Sequence, residues 1–96
     1  MKLGKNLKNA LMEDFINDKR YGDLTPGKAV KIYRELNGFS QNELADLTGL
    51  KQATISSLEN DRITLGIERA KVLAHALKVH PGLLAFADWQ DSESVA

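Results

Sequence analysis

The stretch Phe39-Ser40-Gln41-Asn42-Glu43-Leu44-Ala45-Asp46-Leu47-Thr48-Gly49-Leu50 permits one short helix and one sharp turn, and it constrains everything around it. Ser40 followed three residues later by Glu43 is a capping box, in which each side chain satisfies a backbone N–H at the helix start. Phe39 and Leu44 are placed to staple that start hydrophobically. Gly49 ends the helix, because the turn there needs a residue tolerant of positive φ. A second helix then starts near Lys51 or Gln52 and continues to Asn60. Leu44, Ala45 and Leu47 are expected to face inward from the first helix, Leu50 to plug the turn, and Ile55 and Leu58 to face inward from the second. A small residue at Ala45 lets the second helix cross closely. Two short helices crossing over a tight glycine turn meet the steric requirements of a helix-turn-helix, whose second helix is presented outward.

The flanking sequence is helical as well, with no alternating run of strand length and no internal repeat. Leu3, Leu7, Leu11 and Phe15, with Ile16 beside them, predict an amphipathic helix over about residues 5–19, stopped by Gly22. Thr25 suits an N-cap, Pro26 the first helical turn and Gly38 the left-handed residue after the last. Ala29, Val30, Ile32, Tyr33 and Leu36 give the helix between them its apolar stripe. After Thr64 another stripe runs through Ile67, Ala70, Leu73, Ala74 and Leu77, and a last short helix starts at Pro81. The chain therefore reads as all-α. Residues 1–24 form an N-terminal helical extension, 25–87 a five-helix domain, and 88–96 an acidic tail interrupted by Trp89.

Charge alone does not name a partner. Thirteen basic residues balance thirteen acidic ones, which at first argues against nucleic acid. By region the balance is uneven: residues 1–25 carry +1, 26–80 carry +2 and 81–96 carry −3. A mildly basic middle permits phosphate binding without demanding it.

The run from Ser40 to Ala45, continued by Gly49-Leu50-Lys51-Gln52-Ala53-Thr54-Ile55-Ser56-Ser57-Leu58-Glu59-Asn60, resembles the Cro/repressor (XRE-type) helix-turn-helix family. The resemblance extends from about Pro26 to Leu84. It implies a compact five-helix, lambda-repressor-like domain that binds operator DNA, usually as a symmetric dimer. It places Gln41 where family members touch phosphate and brace the recognition helix. Gln52 and Ala53 fall where base edges are reached first, Ser56 and Ser57 further along the same face, and Asn60 and Arg62 where the backbone is met. Lys51 stands at an N-cap position where the family often has Ser or Thr; it caps poorly and is placed to reach a phosphate. The resemblance also implies an ion pair, Arg34 with Glu59, tying two helices together in a structural role.

Helical geometry independently favours this face. With Ile55 and Leu58 inward, a 100° step puts Ala53, Ser56, Ser57 and Asn60 outward and Gln52 on the leading flank. A glutamine can bond bidentately to adenine, and an alanine methyl can pack on a thymine methyl.

Other chemistry finds little support. With no cysteine there is no disulfide, thiolate metal site or cysteine nucleophile. His75 and His80 lack a metal-binding rhythm and suit surface or cap roles. Ser56 and Ser57 have no evident His/Asp relay, and the glycines are scattered at helix boundaries rather than gathered in a phosphate loop. No enzyme, metal or cofactor is expected. No apolar run approaches the roughly 20 residues of a membrane span, and no secretory leader is evident, so the expected location is the cytoplasm.

Three functions remain in play. The first is a repressor reading a palindromic operator as a dimer. The second is the antitoxin of a toxin–antitoxin module, which also binds a toxin protein through the N-terminal helix or the acidic tail; the Lys51–Ser56 run resembles antitoxins paired with kinase toxins. The third is a protein-interaction module that keeps the fold without DNA. Leu83, Phe86 and Trp89, with Leu84, offer either dimer or partner contacts or internal packing.

Overall fold

The computed structural model describes residues 23–89 and shows five helices in succession. They are α1 (Pro26–Leu36), α2 (Gln41–Thr48), α3 (Gln52–Glu59), α4 (Ile67–Leu77) and α5 (Pro81–Ala85). Among the described residues there is no strand. The N-terminal helix expected over 5–19, and the tail beyond Trp89, lie outside the described residues.

Local chemistry sets most helix boundaries. Thr25 has extended backbone, and its Oγ1 accepts from the Lys28 N–H at 3.0 Å, with Pro26 opening α1. Ser40 accepts from the Glu43 N–H at 3.0 Å, and Glu43 accepts from the Ser40 N–H at 2.8 Å, which completes the capping box. Lys51 precedes α3 with extended backbone and makes no side-chain cap bond. At α5 the cap is His80, whose Nδ1 accepts from the Gly82 N–H at 2.9 Å.

The C-termini of α1, α3 and α4 share one device with different residues. After α1, the Gly38 N–H donates to Glu35 and the Phe39 N–H to Arg34, the paired bonds of a Schellman motif. After α3 the equivalent bonds run from Asp61 to Leu58 and from Arg62 to Ser57. After α4 they run from Lys78 to His75 and from Val79 to Ala74. Asp61 and Lys78 therefore take left-handed backbone, at φ 57 and φ 62, where glycine is the usual occupant.

α1 packs against α3, α4 and α5; α2 packs against α3 and α4; α4 packs against α5. The core is built from Ala29, Val30 and Tyr33 of α1, Leu44 of α2, Ile55 and Leu58 of α3, Leu73 and Leu77 of α4, and Leu84 of α5. Each buried Leu or Ile contributes roughly 1.5–3 kcal/mol of transfer free energy. Leu50 and Phe39 are partly buried against this core.

Leu47 departs from expectation: it is 57% exposed rather than inward. α2 has only eight residues, and its buried arc is centred between Leu44 and Ala45. At 100° per residue Leu47 lies well off that centre, whereas Gln41 and Thr48 fall close to it. The Thr48 hydroxyl uses that position to donate to the Leu44 carbonyl at 2.8 Å and to accept from the Leu50 N–H at 3.2 Å. Gly49, at φ 80, then turns the chain into α3.

The α1–α3 crossing depends on a glycine inside a helix. A Cβ on Gly27 would collide with the Leu58 carbonyl oxygen and would approach Asp61 Oδ1 to 2.6 Å. Nearby, the Thr25 hydroxyl donates to the Asp61 carboxylate at 2.9 Å, joining the start of α1 to the loop after α3. These two contacts fix the C-terminal end of α3.

Candidate nucleic-acid interface

α3 presents two unlike faces. Ile55, Leu58 and Glu59 are buried, whereas Lys51, Gln52, Ala53 and Asn60 are exposed. Ser56 and Ser57 are half-buried, less open than helical spacing alone suggests. The Asn60 side chain folds back, its Nδ2 donating to the Ser56 carbonyl at 2.8 Å. Arg62 is exposed just beyond the helix. Lys51 and Arg62 thus place one cation near each end of α3, with uncharged hydrogen-bonding and methyl groups between.

A chain of hydrogen bonds runs from this surface into the core. Gln52 Nε2 donates to Gln41 Oε1 at 2.7 Å, and Gln41 Nε2 donates to Glu59 Oε1 at 3.0 Å. Glu59 Oε1 also accepts from an Arg34 terminal nitrogen at 3.0 Å, and Glu59 Oε2 from Arg34 Nε at 2.7 Å. The other Arg34 terminal nitrogen donates to the Phe39 carbonyl at 2.8 Å. One guanidinium therefore ties together α1, the loop before α2, and α3. The bond to Glu59 raises the Arg34 pKa above its ordinary value, against the opposing effect of burial. Among the described residues, every buried polar side-chain atom has a partner.

Gln41 faces the core side of α2 because that short helix turns its N-terminal flank toward Glu59. Its amide accepts from one neighbour and donates to the other, which orients both of its ends. Among the described residues Gln52 is pinned through one amide hydrogen only. A primary amide has two donors and one carbonyl acceptor, so Gln52 keeps one N–H and its carbonyl oxygen for an outside ligand. That pair matches the donor and acceptor that adenine shows in the major groove.

Among the described residues, further apolar surface lies away from this face. Leu84 belongs to the core and Leu83 is half-buried, while Phe86 and Trp89 are 59% and 65% exposed beside a hollow of about 530 Å³. His75 and His80 are exposed. The described residues contain no group of three or more His, Cys, Asp or Glu side chains that could hold a metal ion.

Periodicity did not reveal Gly27, Asp61 or the Thr25–Asp61 bond. A glycine directly after Pro26, in the first turn of an otherwise regular helix, was the available signal, since it costs about 1 kcal/mol relative to alanine.

Comparison with known proteins places this geometry. Residues 30–84, more than half of the chain, match a family described as helix-turn-helix. Antitoxin HipB of Escherichia coli (strain K12) is 46% identical over 43 residues, which cover 45% of this chain and 49% of the relative. Antitoxin HipB of Escherichia coli O6:H1 is also 46% identical over 43 residues, covering 46% of its length. The matched region spans about half the length of these curated relatives. No solved structure matches the chain significantly. The chain belongs to the helix-turn-helix family, in its Cro/repressor type of DNA-binding domain.

Proposed function

We propose that this protein is a sequence-specific regulator of transcription, a repressor that reads a palindromic operator as a dimer. α3 lies in the major groove, with Gln52 and Ala53 at base edges and Ser56 and Ser57 further along. Gln41, Lys51, Asn60 and Arg62 meet the phosphate backbone. The observation that carries this reading is the bond from Gln52 to Gln41, which orients the exposed amide while leaving it the donor and acceptor an adenine needs. Two copies joined through Leu83, Phe86 and Trp89 read half-sites about one helical turn apart. The cytoplasm is the location that goes with this role. Among the described residues no helix is long and apolar enough to cross a membrane.

Salt dependence tests the DNA reading. Binding to duplex DNA is expected to weaken with a log–log slope of about −0.9 per phosphate contact. A flat profile, or no duplex binding at low salt, removes the reading in favour of a protein-interaction module. Light scattering tests the dimer, since a monomer at high concentration contradicts it.

A second reading is favoured by the similarity to Antitoxin HipB. In it the chain both represses its own operon and neutralises a toxin protein. A co-transcribed neighbouring gene whose product is toxic alone and harmless when co-expressed with this chain is the expected finding. Neither is expected of a stand-alone repressor.

A further inference from the structure

α2 and α4 pack together without filling the groove between them. That groove holds about 570 Å³ and is lined by Leu47, Lys71, Val72, His75, Ala76 and Lys78. It shares no residue with the α3 face. Its floor is apolar and open: Leu47 is 57% exposed and Val72 41%. Its rim is Lys71, His75 and Lys78, all exposed, and among the described residues no carboxylate lines it. Among the described residues Glu68 pairs with the rim, 3.8 Å from Lys71, with both side chains largely in water, so it neutralises little.

Two features mark the groove as more than ordinary surface. The chain is electrically neutral as a whole, yet here two lysines and a histidine surround apolar side chains, with no acid among the described residues that line the groove. Lys78 also holds left-handed backbone at φ 62, a conformation that glycine adopts without cost. That backbone closes the Schellman motif after α4, and it sets Lys78 at the border of the groove. Duplex DNA suits the rim but gains nothing from Leu47 and Val72. A groove between two helices accepts the ridge of a third, and a basic rim selects acids on its flanks.

We propose that this groove docks an acidic amphipathic helix of a protein partner, its apolar residues on Leu47 and Val72 and its carboxylates beside Lys71 and Lys78. The docking needs none of the residues on α3 and stands or falls separately from the DNA reading.

The test is a titration of the ¹⁵N-labelled full chain with a synthetic helical peptide carrying leucines at i and i+4 flanked by glutamates. A control peptide has lysine at each glutamate. The acidic peptide is expected to shift the amide resonances of Leu47, Val72, Ala76 and Lys78 saturably, and to bind about tenfold tighter than the control. Lys71→Glu with Lys78→Glu is expected to weaken the complex about tenfold, and Leu47→Asp similarly, with duplex binding unchanged. Lys78→Gly separates the rim from the fold, since it is expected to raise thermal stability while weakening the complex. The proposal is overturned by equal binding of the two peptides, or by shifts confined to other helices. Shifts at these residues on raising protein concentration alone would assign the groove to a second copy, and shifts on adding duplex would assign it to DNA. If Asp91→Asn with Glu93→Gln tightens the peptide about tenfold, the chain's own C-terminal segment is the occupant.

Discussion

Glu59 receives both Nε and a terminal nitrogen of Arg34, at 2.7 and 3.0 Å, and it does so with its side chain almost wholly removed from water. Glu59 is the last residue of α3, so this bidentate pair holds the candidate reading helix to α1. Losing one member strands the other charge. Arg34→Met or Glu59→Met is expected to cost about 3–5 kcal/mol, and the double substitution much less than the sum. Urea denaturation of the three variants checks this; additive losses would show that the two residues act independently. The hydrogen bond to Glu59 raises the Arg34 pKa above its ordinary value. A raised cation contributes stability that is complete below its unfolded value and lost only as pH climbs through the folded one. The Arg34 contribution is therefore expected to hold at neutral pH and, as pH rises, to fade only in strong alkali.

Gly27→Ala separates local preference from packing. Helix propensity alone predicts a gain of about 1 kcal/mol. The new methyl, however, meets the backbone carbonyl of Leu58, which cannot swing aside like a side-chain end. A net loss of about 1–3 kcal/mol is expected, the range for overpacking. A stabilised variant in chemical denaturation would show that α1 and α3 separate easily.

Thr25→Val tests the latch between α1 and the loop after α3. It removes the cap bond to the Lys28 N–H and the bond to Asp61 together. About 1–2 kcal/mol of stability is expected to go, at the upper end for a lost N-cap. Asp61 also loses the partner that helps hold its left-handed backbone. Hydrogen exchange at the Asp61 and Arg62 amides should accelerate, and unchanged exchange would count against the latch.

Gln41→Ala separates bracing from base contact. Glu59 keeps both Arg34 bonds, so the fold is expected to lose only about 1 kcal/mol. Gln52 loses its tether and must be ordered on binding, at about 0.5–1.5 kcal/mol for a flexible side chain. Affinity for the preferred duplex is expected to fall about two- to tenfold. No change in affinity would mean that Gln41 neither braces Gln52 nor touches phosphate.

Much of the fold was legible because its signals are local. The Ser40–Glu43 box, Thr25-Pro26, Gly38 and Gly49 each specify a helix boundary from a few adjacent residues, and the all-helical reading follows from them. The ends at Asp61 and Lys78 were not legible, since both adopt the geometry that glycine usually signals. Leu47 misled because a two-turn helix has too narrow an inward arc for three apolar residues. Within the site, helical spacing picked out the exposed face of α3 but overestimated how open Ser56 and Ser57 are. The Gln52–Gln41–Glu59–Arg34 chain joins residues from separate helices, and periodicity within one helix carries no information about such contacts. The resemblance to known helix-turn-helix proteins supplied the expectation for Gln41 and for the Arg34–Glu59 pair, which spacing alone does not.

The most direct measurement is a selection from randomised duplexes, run in parallel with the native chain and with Gln52→Ala. The native chain should enrich a two-fold symmetric site with adenine preferred at one position of each half. Gln52→Ala should keep the site and lose that preference, a discrimination of about 1–3 kcal/mol. Identical enriched sites from both proteins, or no enrichment from either, would contradict base reading by the exposed face of α3.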